Sequence, residues 1–275
     1  MPDNSRDSSS VGSPDSSDDS SPDSSDGGRT IKLTLEYDGT EYVGWQVQKN
    51  GKSVQSAVSK AVSTLTGEEI TVAGASRTDS GVHALAQCAA FVTESAIPAA
   101  GLMGGLNSLL PEDIVVTEAI EVPASFDPRR DSKGKVYRYL VLNRPYRSAM
   151  WRRKSWWVRR PLDIERMRRA VPFFIGRKDF TSFRATGSDA PHSVREITAL
   201  EIIDRSDDTP GLIEFEVRGT AFLRHMVRIM AGTLVAVGAG SIEPEEVERI
   251  IEAKDRAAAP ETAPGHGLCL VHIEY

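Results

Sequence analysis

The chain has 275 residues, of which 40% are hydrophobic and 26% charged, and a formal net charge of −6. That composition supports a sizeable core, and no apolar run approaches the roughly 18–20 residues of a membrane span. The N-terminus is rich in Asp and Ser and lacks the apolar stretch of a secretory signal. Cys88 and Cys269 show neither Cys-x-x-Cys nor Cys/His ligand spacing, so buried free thiols in a cytoplasmic protein are expected.

Residues 1–29 hold seven Asp against Arg6 and Arg29, with Pro-Asp-Ser-Ser-Asp repeated and too few apolar residues to offset ordering entropy. A disordered acidic tail is expected there, with order beginning at Thr30. Ile31, Leu33, Leu35 and Tyr37 alternate with polar residues, the period of a half-buried strand, and Asp38-Gly39 turns the chain. Val54, Ala57, Val58, Ala61, Val62 and Leu65 repeat at helical spacing over 53–66, with Ser53 as start and Gly67 as stop. Ile70 to Ala73 reads as a short buried strand, Gln87 to Val92 as another, and 99–109 as a helix halted at Pro111.

A second series of elements follows. Residues 136–142 read as a strand covered on both faces, 162–174 as an amphipathic helix, and 195–203 and 212–218 as strands. Residues 221–237 read as a long apolar helix ended by Gly238, about 244–256 as a charged helix, and 268–273 as the last strand. Strands precede helices in both halves. This predicts an α+β fold of two related halves, 30–128 and 129–275, with antiparallel sheets, helices on one face and a cleft between them.

Between the strand at 70–73 and the one at 87–92 lies Gly74-Ala75-Ser76-Arg77-Thr78-Asp79-Ser80-Gly81-Val82-His83-Ala84. Loops at strand ends carry function because a rigid scaffold positions them; an Asp in such a turn is also a common backbone acceptor. Charge elsewhere bears on the choice. Residues 129–160 contain twelve Lys/Arg and one acid, Asp131, the footprint of a polyanion site rather than an ordinary solvated face. Within it, Trp151 to Arg160 alternates aromatics with cations, which suits base stacking with phosphate contact and equally an edge strand with buried Trp. Tyr137 on its alternating strand reads as cross-strand packing. Arg228, beside Val227, Ile229 and Met230, reads as a surface cation or a buried paired one, and Leu268 as core. The five histidines, His225 among them, show no metal-ligand spacing, and Gly238-Ala239-Gly240 lacks the context of a dinucleotide loop.

Six blocks occur in order: Tyr37-Asp38-Gly39-Thr40 with Gly44-Trp45-Gln46; Arg77-Thr78-Asp79-Ser80-Gly81-Val82-His83-Ala84; Leu106-Asn107 with Leu110-Pro111; Phe126 and Arg129 leading to Tyr137 and Tyr139; Phe222-Leu223 with Met226-Val227-Arg228; and Ala263-Pro264 with Gly267-Leu268. In these the chain resembles the TruA family of tRNA pseudouridine synthases, over nearly everything from residue 30 to 275. The departures are small: Ser80 where alanine is frequent, Ala75-Ser76 for Ala-Gly, and Cys269 for a tyrosine.

The resemblance implies a cofactor-independent isomerase that turns uridine into pseudouridine. Asp79 would be the nucleophile, Arg228 its charge partner, and Arg77 the arginine linked to base flipping. Tyr137 would pack on the flipped uracil and Leu268 line the pocket. It further implies a homodimer and, as target, the anticodon arm of tRNA at roughly nucleotides 38 to 40, a region whose bases can be splayed out and read. Two other readings stand beside it. One is a non-catalytic RNA-binding protein on the same fold; the other is a metal-dependent phosphodiesterase using Asp38 and Asp79, which lacks a clustered ligand set.

Overall fold

The alternation of Ile31, Leu33, Leu35 and Tyr37 becomes strand β1 (Arg29–Tyr37), with all four side chains buried. The computed structural model describes residues 28–49, 51–187 and 191–275; the expected disorder of the tail concerns residues almost all outside that set. β1 takes in Arg29, one residue before order was expected. Its guanidinium donates to the carbonyls of Ser95 and Ile97, which ties the strand's first residue down. Helix α1 (Val54–Thr66) starts at Ser53, whose Oγ accepts from the Ser56 amide at 3.2 Å, and ends at Gly67 with φ +76°.

The run Ile70–Ala73 does not form the expected strand; β2 is only Ala73–Gly74. Its polar backbone is satisfied by α1 instead. Ser63 and Ser59 hydroxyls accept the Ile70 and Val72 amides, and Gln55 donates to the Val72 carbonyl. Apolar content alone could not distinguish a strand from a segment bonded to a helix's side chains. β3 (His83–Thr93), α2 (Ala99–Leu109) and β4 (Ile114–Val122) complete the first half. β4 lies outside the sequence expectations: it is a sheet-edge strand in which Val115 and Ile120 are exposed while Ile114 and Val116 are buried, so its apolar residues do not follow one alternating face.

The second half holds β5 (Gly134–Asn143), β6 (Trp156–Val158), α3 (Ile164–Phe174), β7 (Gly176–Asp179), β8 (Val194–Asp204), β9 (Leu212–Gly219), α4 (Met226–Gly238), α5 (Glu246–Ala253) and β10 (Leu268–Glu274). β5 is covered on both faces as its composition implies. α3 begins two residues late because Asp163 caps it, accepting from the Arg166 amide at 2.9 Å. α4 begins five residues later than its apolar pattern predicts: His225, in left-handed conformation at φ 63° and ψ 0°, breaks the helical path. Gly238 is that helix's last residue rather than its stop, and the chain reverses at Gly240 with φ +66°.

All ten strands join one sheet, in the order β4-β1-β3-β10-β5-β9-β8-β7, with β2 on β3 and β6 on β5. The two sets of strands are therefore fused rather than separate. The seam is β10, antiparallel to β5 and parallel to β3, pairing Cys269 with His83 and Leu270 with Ala84. One buried apolar cluster runs through both halves. The seam matters for function because the loops entering β3 and β10 emerge side by side. A Cβ on Gly265 would lie 2.3 Å from the Ser80 carbonyl oxygen, so only glycine permits that approach. No helix among the described residues is long and apolar enough to cross a membrane.

Candidate active site

The Asp79 loop is held almost entirely through its backbone and through buried neighbours. Gln87, fully buried in β3, clamps Ser76 by accepting from its amide and donating to its carbonyl at 3.2 and 2.6 Å. The Ala75 amide donates to the Cys88 carbonyl, and the Lys135 ammonium donates to the Ala75 carbonyl at 3.1 Å. Thr78 Oγ1 shares a 2.8 Å hydrogen bond with the buried Tyr37 hydroxyl, and its carbonyl accepts from the Trp45 amide. Gly44 forms a bridge with Asp79 at φ +118°, and a Cβ there would lie 2.4 Å from the Thr78 oxygen. Gly81, at φ +76°, completes the turn. With the backbone so committed, the Asp79 side chain is free to project, and its carboxylate is about a quarter exposed.

Two groups from the other half meet that carboxylate. Arg228 Nη1 lies 3.2 Å from Asp79 Oδ2 while its Nε donates to the Ala263 carbonyl at 2.8 Å. His225 Nε2 lies 3.6 Å from the same Oδ2. Oδ1 has no hydrogen-bond partner among the described residues.

Tyr137 is 5% exposed, and its hydroxyl shares a 2.8 Å hydrogen bond with Ser76 Oγ. Its ring meets Phe222 edge-on, centroids 5.2 Å apart. Burial, reinforced by the nearby Asp79 charge, pushes the phenol up to about 12, so it stays protonated over any working pH. Leu268 is buried at the start of β10, two residues after His266. The structure thus brings Asp79, Arg228 and Tyr137 together around one loop, with Leu268 in the adjoining strand. Arg77 is exposed beside Asp79 and makes no hydrogen bond or ion pair among the described residues.

Sequence reasoning missed three supporting side chains. Gln87 and Lys135 carried a usable signal: each is a long polar residue inside an otherwise apolar strand, where it must find a buried partner. His225 carried none, since its role depends on a local helix start that the apolar pattern conceals. Burial, with the Arg129 and Arg195 charges, pushes the Lys135 ammonium down to about 8.

The basic zone is not one solvated strip. Lys135 is buried, Arg130 pairs with Asp131, Arg153 with Glu41, and Arg144 sits over the Tyr146 ring. Trp156 is half-buried against the core, whereas Trp157 is 40% exposed and donates its indole N–H to the Arg144 carbonyl. The edge-strand reading and the exposed cation–aromatic surface coexist in this segment. A hollow of about 500 Å³ opens elsewhere, lined by Arg138 and Leu140, which point away from the neighbouring Tyr137 and Tyr139; Asp79 does not line it. Asp38 caps the turn after β1 by accepting from Thr40, and among the described residues no group of three or more His, Cys, Asp or Glu side chains could hold a metal ion.

Comparison with known proteins identifies the family. A family model described as tRNA pseudouridine synthase matches residues 34–129 and 170–275. A protein from Ruminiclostridium cellulolyticum named tRNA pseudouridine synthase A is 48% identical over 247 residues, covering 90% of this chain and all of that protein. A protein of the same name from Myxococcus xanthus is 48% identical over 89% of this chain and 91% of its own length. A third, from Acetivibrio thermocellus, is 47% identical over 90% of this chain and its whole length. The chain belongs to the tRNA pseudouridine synthase family.

Proposed function

We propose that the protein isomerises uridine to pseudouridine in tRNA, with Asp79 as the nucleophile. The observation that carries the reading is the carboxylate itself: it is presented by a rigid loop at the seam and charge-paired with Arg228 through Oδ2 alone. Arg228 holds Oδ2 in place, and an unbonded Oδ1 is available for attack. In the reaction the C1′–N1 bond breaks, the uracil turns over, and a C1′–C5 bond forms. The proton leaving C5 is balanced by one gained at N1, so no redox partner or group donor takes part.

The target base must first leave the stack. Tyr137 would offer it a flat apolar face, Leu268 a wall, and the unpartnered Arg77 would fill the space it vacates. Residues 30–128 would then be the half that carries the nucleophile, and 129–275 the half that supplies the charge partner and the cationic surface for phosphate. The family resemblance supports the anticodon arm, about nucleotides 38–40, as the substrate, and a cytoplasmic homodimer with tRNA across both subunits as the working form.

The test is a pseudouridine map by carbodiimide chemistry on unmodified tRNA. Wild type should modify the anticodon arm, and Asp79→Asn should bind the same tRNA without modifying it. Equal inertness of the two proteins, each still binding tRNA, would leave an RNA-binding protein without this activity.

A further inference from the structure

Among the described residues outside glycine, only His225 and Lys254 adopt positive φ. A left-handed conformation costs a side-chain-bearing residue roughly 1–2 kcal/mol, and such strain clusters at functional sites. Lys254 simply ends α5. His225 occupies the N-cap of α4, where a side chain normally accepts from the helix's free amides, yet its imidazole makes no capping bond. It turns instead to Asp79, placing Nε2 3.6 Å from Oδ2, the oxygen that Arg228 already holds.

We propose that His225 is a positioning residue for Asp79: together with Arg228 it fixes Oδ2, so that Oδ1 is left to face the substrate. This rests on the assignment of Asp79 as the nucleophile. At 3.6 Å the contact is too long for a hydrogen bond, and a small imidazole rotation closes it, as catalytic contacts in unliganded sites often do. Two donors on one oxygen fix the rotation of the carboxyl plane, which a single guanidinium N–H does not. The left-handed backbone is what aims the ring: in a helical conformation the side chain would follow the helix surface away from the loop.

The groups facing His225 also set its charge. Burial and the cations Arg228, Arg224 and Arg256 favour the neutral ring against the pull of Asp79, and the balance holds it below its ordinary range. Neutral, it donates one hydrogen bond and leaves the Asp79 charge intact. Protonated at acid pH, it would form a second full ion pair with Oδ2 and draw electron density from the carboxylate. The chemical step should therefore slow as pH falls through the His225 titration.

His225→Gly keeps the backbone conformation and removes the ring; His225→Asn tolerates the same conformation and retains a donor. Single-turnover rates and tRNA affinities are measured from pH 5 to 8 alongside wild type and Asp79→Asn. The expected result for the glycine variant is a thermal transition at or above that of wild type and tRNA affinity within about threefold. Its single-turnover rate should fall about tenfold, a size typical of one charge-assisted hydrogen bond. Its acid limb should differ from wild type, while the asparagine variant recovers part of the rate without the wild-type acid limb. Unchanged rates and pH profiles in both variants would overturn the proposal, as would a loss confined to affinity. If the glycine variant fails to fold, the asparagine variant decides by its acid limb alone. Failure of wild type to form pseudouridine would instead remove the function on which the proposal rests.

Discussion

Arg228 joins three segments that are remote in sequence: α4, on which it sits, the Asp79 loop through Nη1 at 3.2 Å, and the approach to β10 through Nε on the Ala263 carbonyl. Its guanidinium is 15% exposed, so both contacts are shielded from bulk water. A lysine brings a single ammonium that cannot span both acceptors. Arg228→Lys should keep the fold and tRNA binding but lower kcat by about a hundredfold, the scale of a shielded charge-assisted hydrogen bond of roughly 2–3 kcal/mol. The decisive measurement is steady-state kinetics on one tRNA, where an unchanged kcat would separate Arg228 from the chemistry.

Tyr137 offers a different split between ring and hydroxyl. Its phenol is buried against Ser76 at 2.8 Å and pushed up to about 12, so it stays protonated below pH 10. Tyr137→Phe removes that hydrogen bond and leaves Ser76 short of a partner, a cost of about 1 kcal/mol in stability. The flat ring remains, so kcat should stay within about tenfold of wild type and the two pH profiles should run parallel. Tyr137→Ala should cost about 3–5 kcal/mol in stability, as large aromatic truncations do, and abolish turnover. A Tyr137→Phe profile that loses an alkaline limb present in wild type would show that the hydroxyl takes part.

These two residues show what the sequence could and could not convey. Tyr137, Arg228 and Asp79 stand in short blocks at fixed spacing, so the resemblance picked them out before their 149-residue separation (Asp79 to Arg228) was closed in space. The alternation in β1 and the capping of α1 by Ser53 were equally legible, since both are set by neighbours a few residues away. The fusion of the halves was not, because the seam pairs β10 with β3 over only two residue pairs from opposite ends of the chain. Nor was the false strand at Ile70–Ala73, whose partners are serine hydroxyls on a helix. His225 was hidden for a related reason: hydrophobic periodicity continues through Ala221–His225, and backbone conformation overrides it.

Lys135 predicts a trade between stability and activity. Lys135 is 9% exposed, among like charges, and its ammonium is held down to about 8 against an ordinary 10.5. Between those values the unfolded chain binds more protons than the native one, so this group's contribution to stability rises with pH through that window. Below pH 8 both states are protonated and the burial cost is fully present, about 3 kcal/mol for a shift of this size. Lys135→Met should therefore be more stable than wild type at pH 7, by about 1–2 kcal/mol after the lost hydrogen bond to Ala75 is counted. The advantage should shrink as pH rises from 8 to 10.5. Because Ala75 begins the Asp79 loop, the same variant should lose kcat. Denaturant unfolding of both proteins at pH 7 and 9.5 isolates Lys135 from other titrating groups, and a gap that does not narrow would contradict the assignment.

The cationic surface of residues 129–160 makes a prediction that does not depend on the chemistry at Asp79. Arg130, Arg144 and Arg153 are already engaged within the protein, so the count of charges overstates those available to phosphate. Arg147 and Arg159 are exposed and make no hydrogen bond or ion pair among the described residues. Each phosphate contact on single-stranded RNA contributes roughly 0.7 to the slope of log affinity against log salt. Arg147→Gln with Arg159→Gln should lower that slope by roughly 1.4, while Arg153→Gln should change it less because that guanidinium is paired with Glu41 rather than free for phosphate. Neither should alter the single-turnover rate at saturating tRNA, since both arginines belong to the surface and not to the Asp79 loop. Filter binding from 50 to 300 mM salt measures the slopes, and equal slopes in wild type and the double variant would place the phosphate contacts elsewhere on the protein.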